Sequence, residues 1–112
     1  MHVIEEAAIP VLWQGAQGGR ARLLAGTAGP DMIELWQWEM QPGERFTSPG
    51  HPAGTFELLH VNEGVLTLTV DETVTQVNAG ASAVAKTEAA HGYANEGDTV
   101  LRFTMTVAEF HR

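Results

Sequence analysis

Apolar and polar residues alternate at a spacing of two through most of the chain after residue 20, and the alternation breaks at clusters of Gly, Pro, Asp and Asn. No stretch holds an apolar face at helical spacing for more than a turn or two, so the pattern predicts strands. The first 19 residues combine an apolar and acidic lead with the glycine-rich run 15–19, and Pro10 and these glycines argue against a long helix there. The first predicted strand covers residues 20–25 and ends in the turn residues 26–31.

Residues 32–40 form the second strand, with Met32, Trp36, Trp38 and Met40 on one face and Ile33 and Leu35 on the other. Both faces are partly apolar, which places this strand between two packed layers, one of which a partner subunit could supply. Residues 41–44 read as a turn, and residues 45–55, carrying Pro49, Gly50, Pro52 and Gly54, as a loop. The central strand spans residues 56–62, where period two sets Glu57, Leu59 and Val61 on one face and Leu58 and His60 on the other.

Residues 65–70 and 73–78 pair as a hairpin around Asp71-Glu72. Short extended pieces follow at 81–85 and 91–95, and the last strand, 99–108, lines up Leu101, Phe103, Met105 and Val107. Short strands at regular spacing without a substantial helix indicate an all-β sandwich or small barrel.

A length of 112 residues allows one core, so residues 1–112 are expected to form a single domain. The chain has no apolar run long enough to span a bilayer and no signal-peptide pattern in its first ten residues, so a cytoplasmic protein without membrane contact is expected. The absence of cysteine leaves only nitrogen and oxygen ligands for any metal. A net charge of −8, a single lysine (Lys86) and arginines scattered at 20, 22, 45, 102 and 112 argue against direct nucleic-acid contact by this chain.

The chemistry concentrates in residues 51–64, where His51 precedes Glu57 by six positions on an otherwise apolar strand face. A buried carboxylate needs a cation or hydrogen-bond donors. His91 supplies a further imidazole, and His51, Glu57 and His91 together make a His-His-carboxylate set suited to a divalent metal such as zinc, iron, manganese or nickel. The alternative is that Glu57 accepts hydrogen bonds from both histidines with no metal. His60 points to the opposite face and reads as a packed or interface residue.

Trp36, Trp38, Phe103 and Met105 are placed to line a pocket or simply to fill the core. Tyr93 shares the parity of His91 and can offer its hydroxyl to a ligand. Arg45, ahead of His51, is a candidate partner for a ligand carboxylate.

These segments resemble the cupins, the double-stranded β-helix or jelly-roll family. Gly43, His51, Glu57 and Gly64 fall on the first cupin motif, with two extra residues before His51 and with Ala53 where a second histidine ligand would stand. Gly80, His91 and Asn95 fall on the second motif, with Lys86 and Glu88 in place of its proline and glycine. The wording of residues 34–44, 51–70 and 91–98 further resembles the C-terminal cupin sensor domain of helix-turn-helix regulators.

That resemblance implies a jelly roll that senses a small-molecule effector, often as a homodimer, in a transcriptional regulator or as a standalone relative. The alternative it leaves open is a small metal-dependent cupin enzyme, a dioxygenase or isomerase. Beyond the three metal-type residues no dedicated acid or base is recognisable in the sequence. A third reading is a binding module with a vestigial site.

Overall fold

The computed structural model describes residues 1–110, so Arg112, one of the scattered arginines, lies outside the described residues. After a single 3-10 turn, Glu6–Ala8, the described chain runs through strands β1 (Val11–Gln14), β2 (Arg20–Gly26), β3 (Met32–Met40), β4 (Arg45–Ser48) and β5 (Thr55–Glu63). It continues through β6 (Val65–Val70), β7 (Thr73–Asn78), β8 (Ser82–Lys86), β9 (His91–Ala94) and β10 (Leu101–Glu109). A six-stranded sheet has the order β1-β2-β3-β10-β5-β8, and a four-stranded sheet the order β4-β9-β6-β7. Every ladder is antiparallel, and the two sheets pack face to face as a jelly-roll sandwich. No helix among the described residues is long and apolar enough to cross a membrane.

The period-two pattern becomes a set of cross-strand rows. In the six-stranded sheet the inward rows are Met40–Leu101, Trp38–Phe103–Val61, Trp36–Met105–Leu59–Ala83 and Glu34–Val107–Glu57–Ala85. In the four-stranded sheet Phe46–Tyr93–Leu68 and Ser48–His91–Val70 face them. Met40, Leu59, Val61, Leu66, Leu101 and Phe103 are almost fully buried, and each large apolar side chain so buried contributes about 1.5–3 kcal/mol. Trp38 joins the sheets: its ring lies 5.7 Å from Phe103 in a near-parallel stack, 5.0 Å from Tyr93 edge-on and 5.4 Å from Trp13.

Two local results differ from the sequence reading. Residues 45–48, expected in a loop, form β4, because β9 supplies a full antiparallel ladder from Arg45↔Ala94 to Ser48↔His91. That partner lies more than forty residues on, where local pattern cannot reach. Residues 11–14, for which no strand was predicted, form β1, which adds to the edge of β2 and seats Trp13 on Trp38.

The second packed layer expected outside β3 is not supplied by the described residues of this chain. Ile33 and Leu35 stand exposed on the outer face, and the inner face also carries Glu34.

Two polar side chains secure the loops at one end. The buried carboxylate of Glu44 accepts the backbone N–H groups of Gln41 (2.6 Å), Gln17 (2.7 Å) and Gly19 (3.3 Å), tying the β1–β2 turn to the β3–β4 turn. The Asn95 amide donates to the carbonyls of Met40 and Thr99 at 2.9 and 2.8 Å, and its oxygen accepts Gly97 N–H. Both satisfy backbone groups that would otherwise be stranded where the sandwich closes.

Gly64 links β5 to β6 at φ +81°, and a Cβ there would stand 2.5 Å from the Val100 carbonyl oxygen. Left-handed backbone and backbone contact together make the position specific for glycine. Gly64→Ala is expected to lower unfolding free energy by about 2 kcal/mol or more in urea denaturation. A loss below about 0.5 kcal/mol would show that the turn relaxes freely.

Candidate metal centre and ligand cavity

Three segments carry the cluster. Glu57 lies on the inner face of β5 because its neighbours Phe56 and Leu58 take the outer face. His91 opens β9 on the facing sheet, next to Ser48 and Val70. His51 comes from the 49–54 connection, whose path is held by its own N–H to the Thr87 carbonyl (2.9 Å) and by the Thr55 hydroxyl to the Pro52 carbonyl (2.7 Å).

The structure therefore brings His51, Glu57 and His91 together, with donor atoms within 4.8 Å of one another. His51 Nε2 and His91 Nε2 each lie 3.4 Å from Glu57 Oε2. Glu57 and His91 are buried, whereas His51 is partly open to solvent.

Hydrogen bonding determines what the cluster can hold. Tyr93 donates its hydroxyl to Glu57 Oε1, which leaves Oε2 facing the two imidazoles. His91 Nδ1 lies 2.9 Å from the Ala89 carbonyl, an obligate acceptor, so Nδ1 carries a proton and Nε2 is the atom presented to Glu57. Oε2 is buried without a hydrogen-bond partner among the described residues.

A carboxylate oxygen and imidazole lone pairs cannot face one another stably unless a positive centre lies between them. Two donors each ~2.1 Å from a tetrahedral ion stand about 3.4 Å apart, so the spacing of each imidazole from Glu57 Oε2 fits donors sharing one cation. The donor set, the orphaned oxygen and the fixed His91 tautomer thus all fit a divalent metal with three protein ligands. Ala53 offers no fourth donor, which leaves the rest of the coordination sphere to water or a ligand.

The electrostatics follow from the same contacts. Burial disfavours charge on His91, but the pull of the Glu57 carboxylate and of the Ala89 carbonyl outweighs it, and the His91 pKa rises above its usual 6.5. Burial and the neighbouring negative charge hold the Tyr93 phenol well above its ordinary range, so it remains a donor to Glu57.

A cavity of about 170 Å³ reaches this cluster, walled by Trp36, Trp38, Phe46, Tyr93, Met105 and Val107, with Glu34 and Ser48 as further polar lining. Of the residues expected to meet a ligand, Trp38, Tyr93 and Met105 line it. Arg45 does not: β4 turns Phe46 and Ser48 inward, so Arg45 points out, 68% exposed, 3.7 Å from Glu96. Phe103 does not either: it shares the row of Trp38 and is fully buried against that ring.

His60 is on the outer face, its Nδ1 2.8 Å from the Ser82 hydroxyl. Sequence reasoning missed Glu34, although period two groups it with Trp36 and Trp38. It missed Phe46 and Ser48 because β4 itself went unrecognised.

A jelly-roll sandwich with a His-Glu-His cluster between its sheets is the architecture of a cupin domain. The chain belongs to that family: the Cupin domain family model matches residues 36–107, more than half of it. Among solved structures it is similar to an HTH_3 family transcriptional regulator from Vibrio cholerae, at 21% identity and TM-score 0.72. That match covers 84% of this chain and 52% of the regulator, so the chain corresponds to about half the regulator's length.

It is similar to the cupin domain of an XRE family transcriptional regulator from Enterobacter cloacae, at 20% identity and TM-score 0.65, over 71% of this chain and 83% of that one. It is also similar to a predicted oxalate decarboxylase from Thermotoga maritima, at 15% identity and TM-score 0.69, over 95% and 97% of the two chains. At these identities the likeness is one of fold. No curated protein matches the chain.

With its pKa raised in the folded state, His91 stabilises the metal-free protein fully below pH 6.5, and this contribution is lost as pH rises through the folded value. Urea denaturation of chelator-treated protein across this range is expected to show stability falling with pH, with the slope absent in His91→Asn. A metal must displace the proton from His91, so metal affinity should rise over the same interval. A flat profile in the wild type would disprove the coupling of His91 to Glu57.

Proposed function

We propose that this cupin domain binds a small-molecule effector in the cavity at the His51–Glu57–His91 cluster. In this reading it serves as the sensing part, or a standalone relative, of a transcriptional regulator. The observation that carries the proposal is the buried Glu57 Oε2, without a hydrogen-bond partner among the described residues and set 3.4 Å from two imidazoles where an aromatic-lined cavity ends.

His51, Glu57 and His91 would hold a divalent metal, with Tyr93 and Ala89 orienting Glu57 and His91 from behind. Such a metal supplies Lewis-acidic coordination for an oxygen or nitrogen of the ligand. Trp36, Trp38 and Phe46 exclude water from the bound molecule. Coordination of His51, which the 49–54 connection carries, is the step by which occupancy would favour one of two states of the protein.

Support for the regulator setting comes from the likeness to the two regulator structures. The net charge of −8 leaves DNA contact to another segment or partner.

The proposal includes a homodimer. The outer face of the six-stranded sheet presents the rows Leu35–Thr106–Leu58–Val84 and Ile33–Ala108–Phe56–Lys86, with Leu58 54% and Val84 75% exposed. With Lys86 at its margin, this largely apolar surface can meet a second copy of itself about a twofold axis.

Elemental analysis after incubation with zinc, iron, manganese or nickel is expected to find one ion per chain for the best-fitting metal. Glu57→Gln should weaken its binding by at least ~10-fold. Equal loading of wild type and variant would remove the metal from the proposal. In light scattering the wild type should be a dimer and Leu58→Glu a monomer, and a monomeric wild type at micromolar concentration would refute the dimer.

A further inference from the structure

The cavity carries a second carboxylate that the metal-type cluster does not use. Glu34 lies in the inward row Glu34–Val107–Glu57, so a single strand separates the two acids. With strands spaced ~4.8 Å apart, their backbones are about 10 Å from one another. The indole N–H of Trp36 donates to Glu34 Oε1 at 3.2 Å, which pins the carboxylate beside the aromatic wall.

That wall consists of Trp36, Trp38, Phe46 and Tyr93, and no lysine or arginine lines the cavity among the described residues. The one arginine expected to meet a ligand carboxylate, Arg45, points to the other side of its sheet and faces Glu96.

This combination selects charge. The faces of aromatic rings attract cations, most strongly for tryptophan, and a carboxylate among them adds a counter-ion in a partly dehydrated site. At the Glu34 end of the cavity an anionic molecule would meet a carboxylate with no lysine or arginine to offset the repulsion, the two imidazoles lying at the other end on Glu57. Size narrows the class further: a cavity of about 170 Å³ is comparable to the ~150 Å³ apolar cavity that takes up a benzene molecule.

We propose that the cavity recognises a small organic ammonium ion. Glu34 is the specificity-determining counter-ion, and Trp36, Trp38 and Phe46 enclose the cation. The ligand's remaining body extends past Val107 toward His51, Glu57 and His91. This assignment rests on reading the cavity as the effector site and names the chemical class of that effector.

Isothermal titration calorimetry at neutral pH with benzylammonium, benzyl alcohol and benzoate tests it, since the three share a ring and differ in charge. Benzylammonium is expected to bind the full chain at least ~10-fold more tightly than either of the others. Glu34→Gln should abolish that preference while leaving metal content unchanged.

Benzoate binding as tightly as benzylammonium in the wild type would overturn the ammonium assignment and leave the effector site standing. A preference undiminished in Glu34→Gln would likewise overturn the role of Glu34. Binding of none of the three would overturn this inference and the effector reading together. A protein without metal that still prefers benzylammonium would support this inference and remove only the metal from the function proposed above.

Discussion

A carboxylate buried between two apolar sheets is the constraint on which this molecule turns. Glu57 is fully buried, and one of its oxygens accepts the Tyr93 hydroxyl. The other must find positive charge, and the nearest groups able to share that charge are two imidazoles on separate segments. Holding those segments in place occupies much of the surrounding structure. The Ala89 carbonyl sets the His91 tautomer, the Thr87 carbonyl anchors the His51 backbone, and β9 must sit opposite β5 for any of this to meet.

The remainder of the fold can be understood as what makes such a site rigid. Loops that would otherwise fray at one end are held by two buried polar side chains, Glu44 and Asn95, each taking three backbone partners. Trp38 ties Trp13, Phe103 and Tyr93 into one aromatic unit, so the wall of the cavity is continuous with the core. A wall of this kind resists collapse, which preserves space beside the cluster for a ligand. The polar groups left facing that space, Glu34 and Ser48 with the His51 edge, determine what chemistry the space accepts.

Residues show why some of this was legible beforehand and some was not. Alternation along β5 and β10 placed Glu57, Leu59, Val61, Phe103 and Met105 on the buried face correctly, because a strand's side chains have no freedom to change sides. The same rule put His60 outside. It contained Glu34 as well, in the same phase as Trp36 and Trp38, but an acid among tryptophans reads locally as a solvent-side residue. Strand β4 went unread for a related reason: four residues between proline-glycine turns have no pattern long enough to show which side faces in, and so none to show that Phe46 and Ser48 turn inward and Arg45 outward.

The sequence by itself determined the fold class and the His51, Glu57 and His91 set, since strand period, turn residues and motif spacing are local properties of the chain. It also determined the lack of a fourth ligand at Ala53. Only the tertiary structure decided which atoms face one another. It aimed both Nε2 atoms at one orphaned oxygen, gave the Tyr93 hydroxyl to Glu57, set Arg45 on the outer face, closed Phe103 off from the cavity against Trp38 and brought Glu34 into it. Those outcomes depend on ladder register between strands distant in sequence, and a single-residue shift in register would have reversed every one of them.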